Sequence, residues 1–305
     1  MTNSYKPLKM PKLLRAGDKV AILATSGPVD PERLSKGLDI VKQMGLNPYV
    51  MESCYKKHDY LAGTDEIRLR DLHMAFAAPD VRGIFVARGG YGAARLLPFL
   101  DYKMIRHNPK VFLGYSDVTA LHIALNQLCG FVTFHGPMVA VDFAGCLAAR
   151  ESLVDNIFEN AVNNRLEVYV NIGGALTTIV PGCAVGMIIG GNLSLLAASI
   201  GTPYEIETKN RILFIEEINE DAYSIDRMLM QLKQARKLSD VAGILLGDFS
   251  PQTREALHIC INEIIIPENK PTLAGLSSGH ISPNLTLPLG ISVKLDTTKQ
   301  ILYRM

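Results

Sequence analysis

Three glycine-rich turns carry the residues whose types and spacing could do chemistry. In Gly114-Tyr115-Ser116-Asp117 a serine follows an apolar run (Val111, Phe112, Leu113) and precedes a stretch of helical character. A serine at a strand-to-helix turn is presented at the carboxyl edge of the sheet, where open α/β folds place ligands. The helix N-terminus favours negative charge there, and leaves the Asp117 N–H unpaired. Ser116 or Asp117 as a plain helix cap fits the same pattern. The turn Arg88-Gly89-Gly90-Tyr91-Gly92 also follows an apolar run. Its glycines allow positive φ and leave N–H groups free to face a phosphate or a reaction oxyanion. It is not a dinucleotide fingerprint, because from Gly90 the pattern runs G-x-G-x-x-R, with Arg95 where a third glycine belongs. Gly275-Leu276-Ser277-Ser278-Gly279 spells G-x-S-x-G, yet a proline-containing loop follows where a nucleophile elbow needs a helix. Ser277 is therefore not the expected nucleophile.

A serine nucleophile needs a base and a group that orients the base. Of the seven histidines, His73, His122 and His258 fall within predicted helices, whereas His280 lies in a glycine-serine loop. Loops on a rigid scaffold carry function disproportionately. Glu216 and Glu217 directly follow the predicted strand 211–215. A carboxylate there can hold a histidine or simply end a strand in water. The five cysteines are scattered, odd in number and without a C-x-x-C pair, so neither zinc nor a disulfide framework is expected. They read as reduced, mostly buried thiols.

The elements that position these residues alternate. Strands are expected at 19–25, 47–51, 81–87 and 111–115, and helices at 32–44, 65–76, 93–100 and 116–128. Asp30-Pro31 reads as an N-cap followed by proline at the first helical position, and Gly45 as the C′ residue. This alternation implies a parallel sheet covered on both faces. A helix is expected at 151–164, and strand character at 166–180. Further on come a helix at 193–200, a strand at 211–215, an amphipathic helix at 223–238, a strand at 241–246 and a helix at 255–265. The tail 285–303 has strand and turn signals. The fold class is α/β: an N-terminal doubly wound, mostly parallel sheet (1–160), a linker (161–182) and a strand-rich α+β C-terminal domain (183–305).

Composition agrees and excludes several classes. The 305 residues are 48% hydrophobic and 20% charged, enough for a sizeable core and too apolar for disorder. Lys+Arg 31 against Asp+Glu 30 gives a net charge of +1, without the basic footprint of a nucleic-acid binder. Trp is absent and aromatics are 7%, which disfavours base-stacking platforms. The longest apolar stretch, 183–189, is too short to span a bilayer. Residues 1–14 lack the apolar core of a secretory signal.

Together these pieces resemble the LD-carboxypeptidase (muramoyl-tetrapeptide carboxypeptidase) family of serine peptidases. The resemblance runs through Tyr60-Leu61-Ala62-Gly63-Thr64-Asp65 with Arg68, the two turns around Gly90 and Ser116, and Thr133-Phe134-His135-Gly136-Pro137-Met138. It continues with Gly190-Gly191-Asn192-Leu193, Glu216 with Asn219 and Glu220, Asp226-Arg227-Met228-Leu229, Gly279-His280 and Leu285-Thr286-Leu287-Pro288-Leu289-Gly290. It implies a Ser-His-Glu triad, with Ser116 as nucleophile, His280 as base and Glu216 as orienting acid. Glu217 stands where the family often has aspartate. The resemblance further implies an oxyanion hole from the N–H groups of Gly90 and Asp117, with substrate contacts from Arg88, Gly89 and Tyr91. Arg88 suits the D-alanine carboxylate or a structural ion pair. No cofactor and no metal are implied. The implied substrate is a murein tetrapeptide cut before its terminal D-alanine, in a cytoplasmic homodimer that recycles wall fragments. No nucleic-acid or membrane partner is expected. The alternatives are a relative that hydrolyses peptide–nucleotide antibiotics and, from another class, a wall-fragment binding protein without activity.

Overall fold

The computed structural model describes residues 7–144, 156–158, 176–249 and 254–305. Most of the expected helix at 151–164, most of the strand character at 166–180 and Cys146 lie outside these residues.

The first sheet grows from short apolar runs. β1 (Lys19–Leu23), β3 (Val81–Val86) and β4 (Val111–Gly114) are almost wholly buried, as both faces of a covered parallel sheet require. With β2 (Asn47–Val50) and β5 (Thr133–His135) they run parallel in the order β5-β4-β3-β1-β2. A sixth strand, β11 (Leu287–Leu289), adds to β5 antiparallel, although its sequence lies in the C-terminal half. α1 (Pro31–Gln43) starts as its sequence dictates, with Asp30 accepting from the Arg33 N–H and proline in the first turn. α2 (Asp65–Ala77) is capped by Thr64 in the same manner. Phe76 packs against Phe112 and Phe131 at 6.1 and 6.2 Å between ring centroids, inside one of the buried clusters. Truncating such an aromatic costs about 3–5 kcal/mol.

Two segments differ from the expected helices. Ala93–Phe99 is a 3₁₀ stretch, because Pro98 removes a donor and Gly92 enters at φ +131°. The α-helix α3 (Tyr102–His107) was not foreseen, although Asp101 caps it through the Met104 N–H at 2.8 Å. After β4, Ser116–Val118 forms a 3₁₀ turn that leads into α4 (Thr119–Ala124) and a π turn at Leu125–Cys129.

The second sheet has a parallel centre of β7 (Cys183–Asn192), β8 (Ile212–Glu217), β9 (Gly243–Phe249) and β10 (Thr272–Ala274). Antiparallel strands flank it, β6 (Thr177–Val180) beside β10, then β12 (Ser292–Asp296) beside β7 and β13 (Ile301–Arg304) at the edge. β6 thus falls in the stretch assigned to the linker, yet it belongs to this sheet. α5 (Leu193–Ser199), α6 (Ala222–Gln234) and α7 (Arg254–Cys260) complete the unit, and α6 buries Ile225, Met228, Leu229 and Leu232 as its spacing requires. Among the described residues no helix is long and apolar enough to cross a membrane. Cys54, Cys129 and Cys260 are free and buried, whereas Cys183 is free and exposed.

Parallel strands deliver all their carboxyl ends to one edge. In the first sheet these ends lead into Ser26, Arg88–Gly92 and Ser116–Asp117. In the second they lead into Asn192, Glu216–Glu217 and the 275–280 loop. The two edges touch: the Asn192 N–H donates to Thr119 Oγ1 at 3.0 Å. Gly191 at φ +141° passes so close that an added Cβ would lie 2.4 Å from that oxygen.

Candidate active site

The turn that presents Ser116 is strained. Its φ is +65°, which L-residues other than Asn and Asp rarely adopt. A sharp, strained strand-to-helix turn of this kind exposes a serine hydroxyl at the sheet's edge. The glycine turn after β3 leans on it: a Cβ on Gly89 would sit 2.9 Å from both Cβ and Oγ of Ser116.

Asp117 shows what holds these turns in place. Its carboxylate accepts from Ser26 Oγ at 2.5 Å and from the Ala93 N–H at 2.8 Å, tying together the loops after β1, β3 and β4. Burial pushes its carboxyl above the ordinary range, against the pull of those two bonds. The side chain is thus a brace. Arg68, fully buried, adds a second brace. Its guanidinium donates to the carbonyls of Thr25 and Gly92 and to the Asp65 carboxylate, which Arg95 also grips. A buried cation is tolerated only when so paired.

The second sheet contributes an acid–imidazole pair. Glu216, 0% exposed at the end of β8, accepts from His280 Nδ1 at 2.8 Å. An ionised carboxylate only accepts, so Nδ1 carries the proton and Nε2 is the basic nitrogen of the neutral ring. Burial pulls His280 down, but the hydrogen bond and charge of Glu216 outweigh it and hold the imidazole above its ordinary value. Gly279 makes the approach possible: at φ +119°, a Cβ there would lie 2.8 Å from Glu216 Oε2. The His280 loop is tied down by Gly279 N–H to Asn284 Oδ1 at 3.0 Å and Leu285 N–H to the Ser277 carbonyl at 2.7 Å. Glu217, the residue next to Glu216, is fully committed elsewhere. It accepts from Asn192 Nδ2, the Ile218 N–H, and both the N–H and hydroxyl of Ser194, closing the start of α5.

The two halves meet through Tyr115. Its ring, adjacent to Ser116 in the chain, packs edge-on to His280 with centroids 4.8 Å apart. The Ser116 turn and the His280 loop therefore share one wall.

Of the remaining candidates, Arg88 is half-buried and donates through Nε to the Gly89 carbonyl at 3.2 Å and through Nη1 to the Pro28 carbonyl at 3.0 Å. No carboxylate pairs with it among the described residues, so it is not a structural ion pair there. Gly89 also accepts from the Gly27 N–H at 3.1 Å, which fixes the glycine turn against the loop after β1. Gly90 has φ +123°, and a Cβ on it would meet Gly27 N at 3.1 Å. Tyr91 is 53% exposed, 6.0 Å from the ring of exposed Tyr60. Ser277 is buried in a loop after β10 with no helix behind it. His122 uses both nitrogens, on Thr133 Oγ1 and the Gly114 carbonyl, beneath the Ser116 turn. Among the described residues no group of three or more His, Cys, Asp or Glu could hold a metal. Sequence reasoning missed Ser26, whose only local cue is a Ser-Gly-Pro turn, and Asp142, which accepts from Tyr115 Oη at 3.4 Å.

Residues 20–136 match the family model of the LD-carboxypeptidase N-terminal domain, and residues 185–295 that of the LD-carboxypeptidase C-terminal domain. The chain is 40% identical to the "Probable murein peptide carboxypeptidase" of Bacillus subtilis (strain 168), over 97% of this chain and 93% of that protein. Its fold is similar to that of the microcin C7 self-immunity protein MccF in complex with glutamyl sulfamoyl guanosine. The TM-score is 0.90 at 25% identity, covering 98% of this chain and 99% of that one. It is also similar to a muramoyltetrapeptide carboxypeptidase from Oxalobacter formigenes. There the TM-score is 0.77 at 28% identity, covering 93% and 97%.

Proposed function

The chain belongs to the LD-carboxypeptidase family and is a serine carboxypeptidase hydrolase, and from that premise we propose that Ser116, His280 and Glu216 form its triad and that it removes the terminal D-alanine of murein tetrapeptides. The observation that carries the triad is the buried Glu216–His280 bond of 2.8 Å, next to a strained serine turn.

In this reading His280 Nε2 takes the proton of Ser116 Oγ as the oxygen attacks the carbonyl before D-alanine. Glu216 holds the Nδ1–H tautomer and stabilises the imidazolium. The N–H groups of Gly90 and Asp117 receive the oxyanion, and each such donor is worth about 10²–10³ in rate. The Asp117 carboxylate, spent on Ser26 and Ala93, fixes the angle of its own N–H. His280 then protonates the leaving amine of D-alanine, and water activated by the same imidazole hydrolyses the acyl-enzyme. Arg88, with Nε and Nη1 engaged on backbone carbonyls, offers Nη2 to the substrate carboxylate. Gly89 and Tyr91 line the approach. The reading also takes from the family resemblance a cytoplasmic homodimer that recycles wall fragments.

The murein substrate is supported by the 40% identity to a protein of that printed activity. The TM-score of 0.90 to MccF favours a second reading, hydrolysis of a peptidyl nucleotide, although this chain has no tryptophan to stack a base. Incubation of the wild type and Ser116→Ala with L-Ala-D-Glu-meso-diaminopimelate-D-Ala, with free D-alanine read by mass spectrometry, tests both. Release by the wild type alone is expected. Release by both overturns the nucleophile. Release by neither, with cleavage of glutamyl sulfamoyl guanosine by the wild type, replaces the substrate.

A further inference from the structure

We propose that Asp142, acting through Tyr115, is a positioning residue that sets the protonation of His280. The inference rests on His280 being the general base of the reading above, and deepens it.

Asp142 sits in the turn after β5, on the first sheet's side of the site. Its carboxylate accepts from the Met138 N–H at 2.8 Å and from the Tyr115 hydroxyl at 3.4 Å. Tyr115 is 3% exposed, and its ring is the edge-on neighbour of His280. Burial drives the Tyr115 hydroxyl far above its ordinary range, so it remains a neutral donor. Asp142 therefore fixes the ring that walls the imidazole, and it brings a further negative charge to that imidazole, beside those of Glu216 and Glu217.

The groups around His280 divide by what else they do. Glu216 is bonded to it. Glu217 also favours the imidazolium, but is saturated by four donors of its own. His135, buried with neither ring nitrogen bonded, is held neutral by burial. Asp142 is the acid here whose carboxyl burial lifts to about 6, and His280 in turn draws it back. Arg33 donates to the Val141 carbonyl at 3.2 Å, and its charge acts on Tyr115. Asp142 and His280 thus act on each other's charge, each favouring the ionised form of the other. When Asp142 ionises, the imidazolium is favoured. Without that charge, His280 becomes a free base at lower pH.

The test is made on the full chain, with His280 observed by NMR of ¹³C-labelled histidine (assigned with His280→Gln) and with kcat/KM against pH. In Asp142→Asn, the His280 titration and the acid limb of kcat/KM both move down by about half to one pH unit, a three- to ten-fold gain relative to the plateau at acid pH. Tyr115→Phe keeps the ring but takes a donor from Asp142, which ionises later; the shift has the same sign and is smaller. A folded Asp142→Asn whose His280 titration stays in place overturns the proposal. So does a loss of activity equal at every pH, which marks a structural brace only. If Asp142→Asn does not fold, an unmoved titration in Tyr115→Phe overturns it. The NMR arm does not depend on turnover. Activity that survives Ser116→Ala therefore counts against the proposed function, and an unmoved titration counts against Asp142.

Discussion

Replacing Gly89 with alanine should disable the enzyme while leaving its fold nearly intact. Gly89 does not have a positive φ, so its backbone accepts a side chain. The new Cβ would nevertheless lie 2.9 Å from Ser116 Cβ and Oγ, with Met138 Cε next at 3.6 Å. Apolar contacts are relaxed at about 3.5–4.0 Å, so Ser116 or the glycine turn must retreat by roughly 0.5–1 Å. A misplacement of about 1 Å can cost on the order of 10² in rate. The stability cost of overpacking, about 1–3 kcal/mol, is partly offset by the 0.4–1 kcal/mol that alanine gains by restricting the unfolded chain. Expected are a kcat lowered about 100-fold by the misplacement and a Tm lowered by only a few degrees for a chain of this size. Both are measured on D-alanine release and by calorimetry. In a Ser116→Gly background both clashing atoms are gone, so Gly89→Ala should no longer lower Tm. Turnover within threefold of wild type, or an equal Tm loss in both backgrounds, refutes the contact as the cause.

Three other outcomes follow from the geometry. Ser116→Gly should be more stable than Ser116→Ala by about 1–2 kcal/mol in calorimetry, because alanine keeps the left-handed strain at φ +65° and glycine removes it. Glu216→Gln should lower kcat by about 10⁴, as loss of the orienting charge does in related triads. His280 would then lose the partner that most opposes burial and keep only the charges of Glu217 and Asp142, so the acid limb of kcat/KM should move down. The wild-type imidazole, raised chiefly by Glu216, contributes stability below pH 6.5 that is lost as pH climbs through its raised value; urea titrations of Glu216→Gln should show a smaller slope. Asp117→Ala should cost about 1–3 kcal/mol in urea titrations, since it leaves the Ala93 N–H and Ser26 hydroxyl without their acceptor.

Much of the first sheet was legible because its signals are local. Asp30-Pro31 and Gly45 bracket α1 within a residue or two, and the runs at Val81 and Val111 read as buried strands. The 3₁₀ stretch at Ala93–Phe99 had its cue in Pro98, and α3 had its cue in Asp101. Other features were not legible, since they depend on partners far along the chain. Glu216 and Glu217 are indistinguishable as neighbours at a strand end. The β8–β9 register shifts between Ile215 and Glu217, and only their partners, His280 for one and Ser194 with Asn192 for the other, separate their roles. Asp142 meets Tyr115 from 27 residues away, so no local pattern marks it.

The strand that leaves one half of the sequence for the other explains how the distant parts of the proposed triad can meet. β11 pairs Leu287 with His135, and β5 in turn pairs His135 with Gly114, two residues before Ser116. The loop that carries His280 is thereby stitched, seven residues downstream, to the same sheet that presents the serine. Its upstream end continues from β10, two strands from β8 and Glu216 in the second sheet. A loop anchored in both sheets cannot follow either one away from the site without breaking ladder hydrogen bonds. Changes at β11 should therefore act on kcat before they act on the fold: a proline at Leu287, which removes a backbone donor next to His135, should loosen His280 while the parallel strands β1 to β4 stay paired.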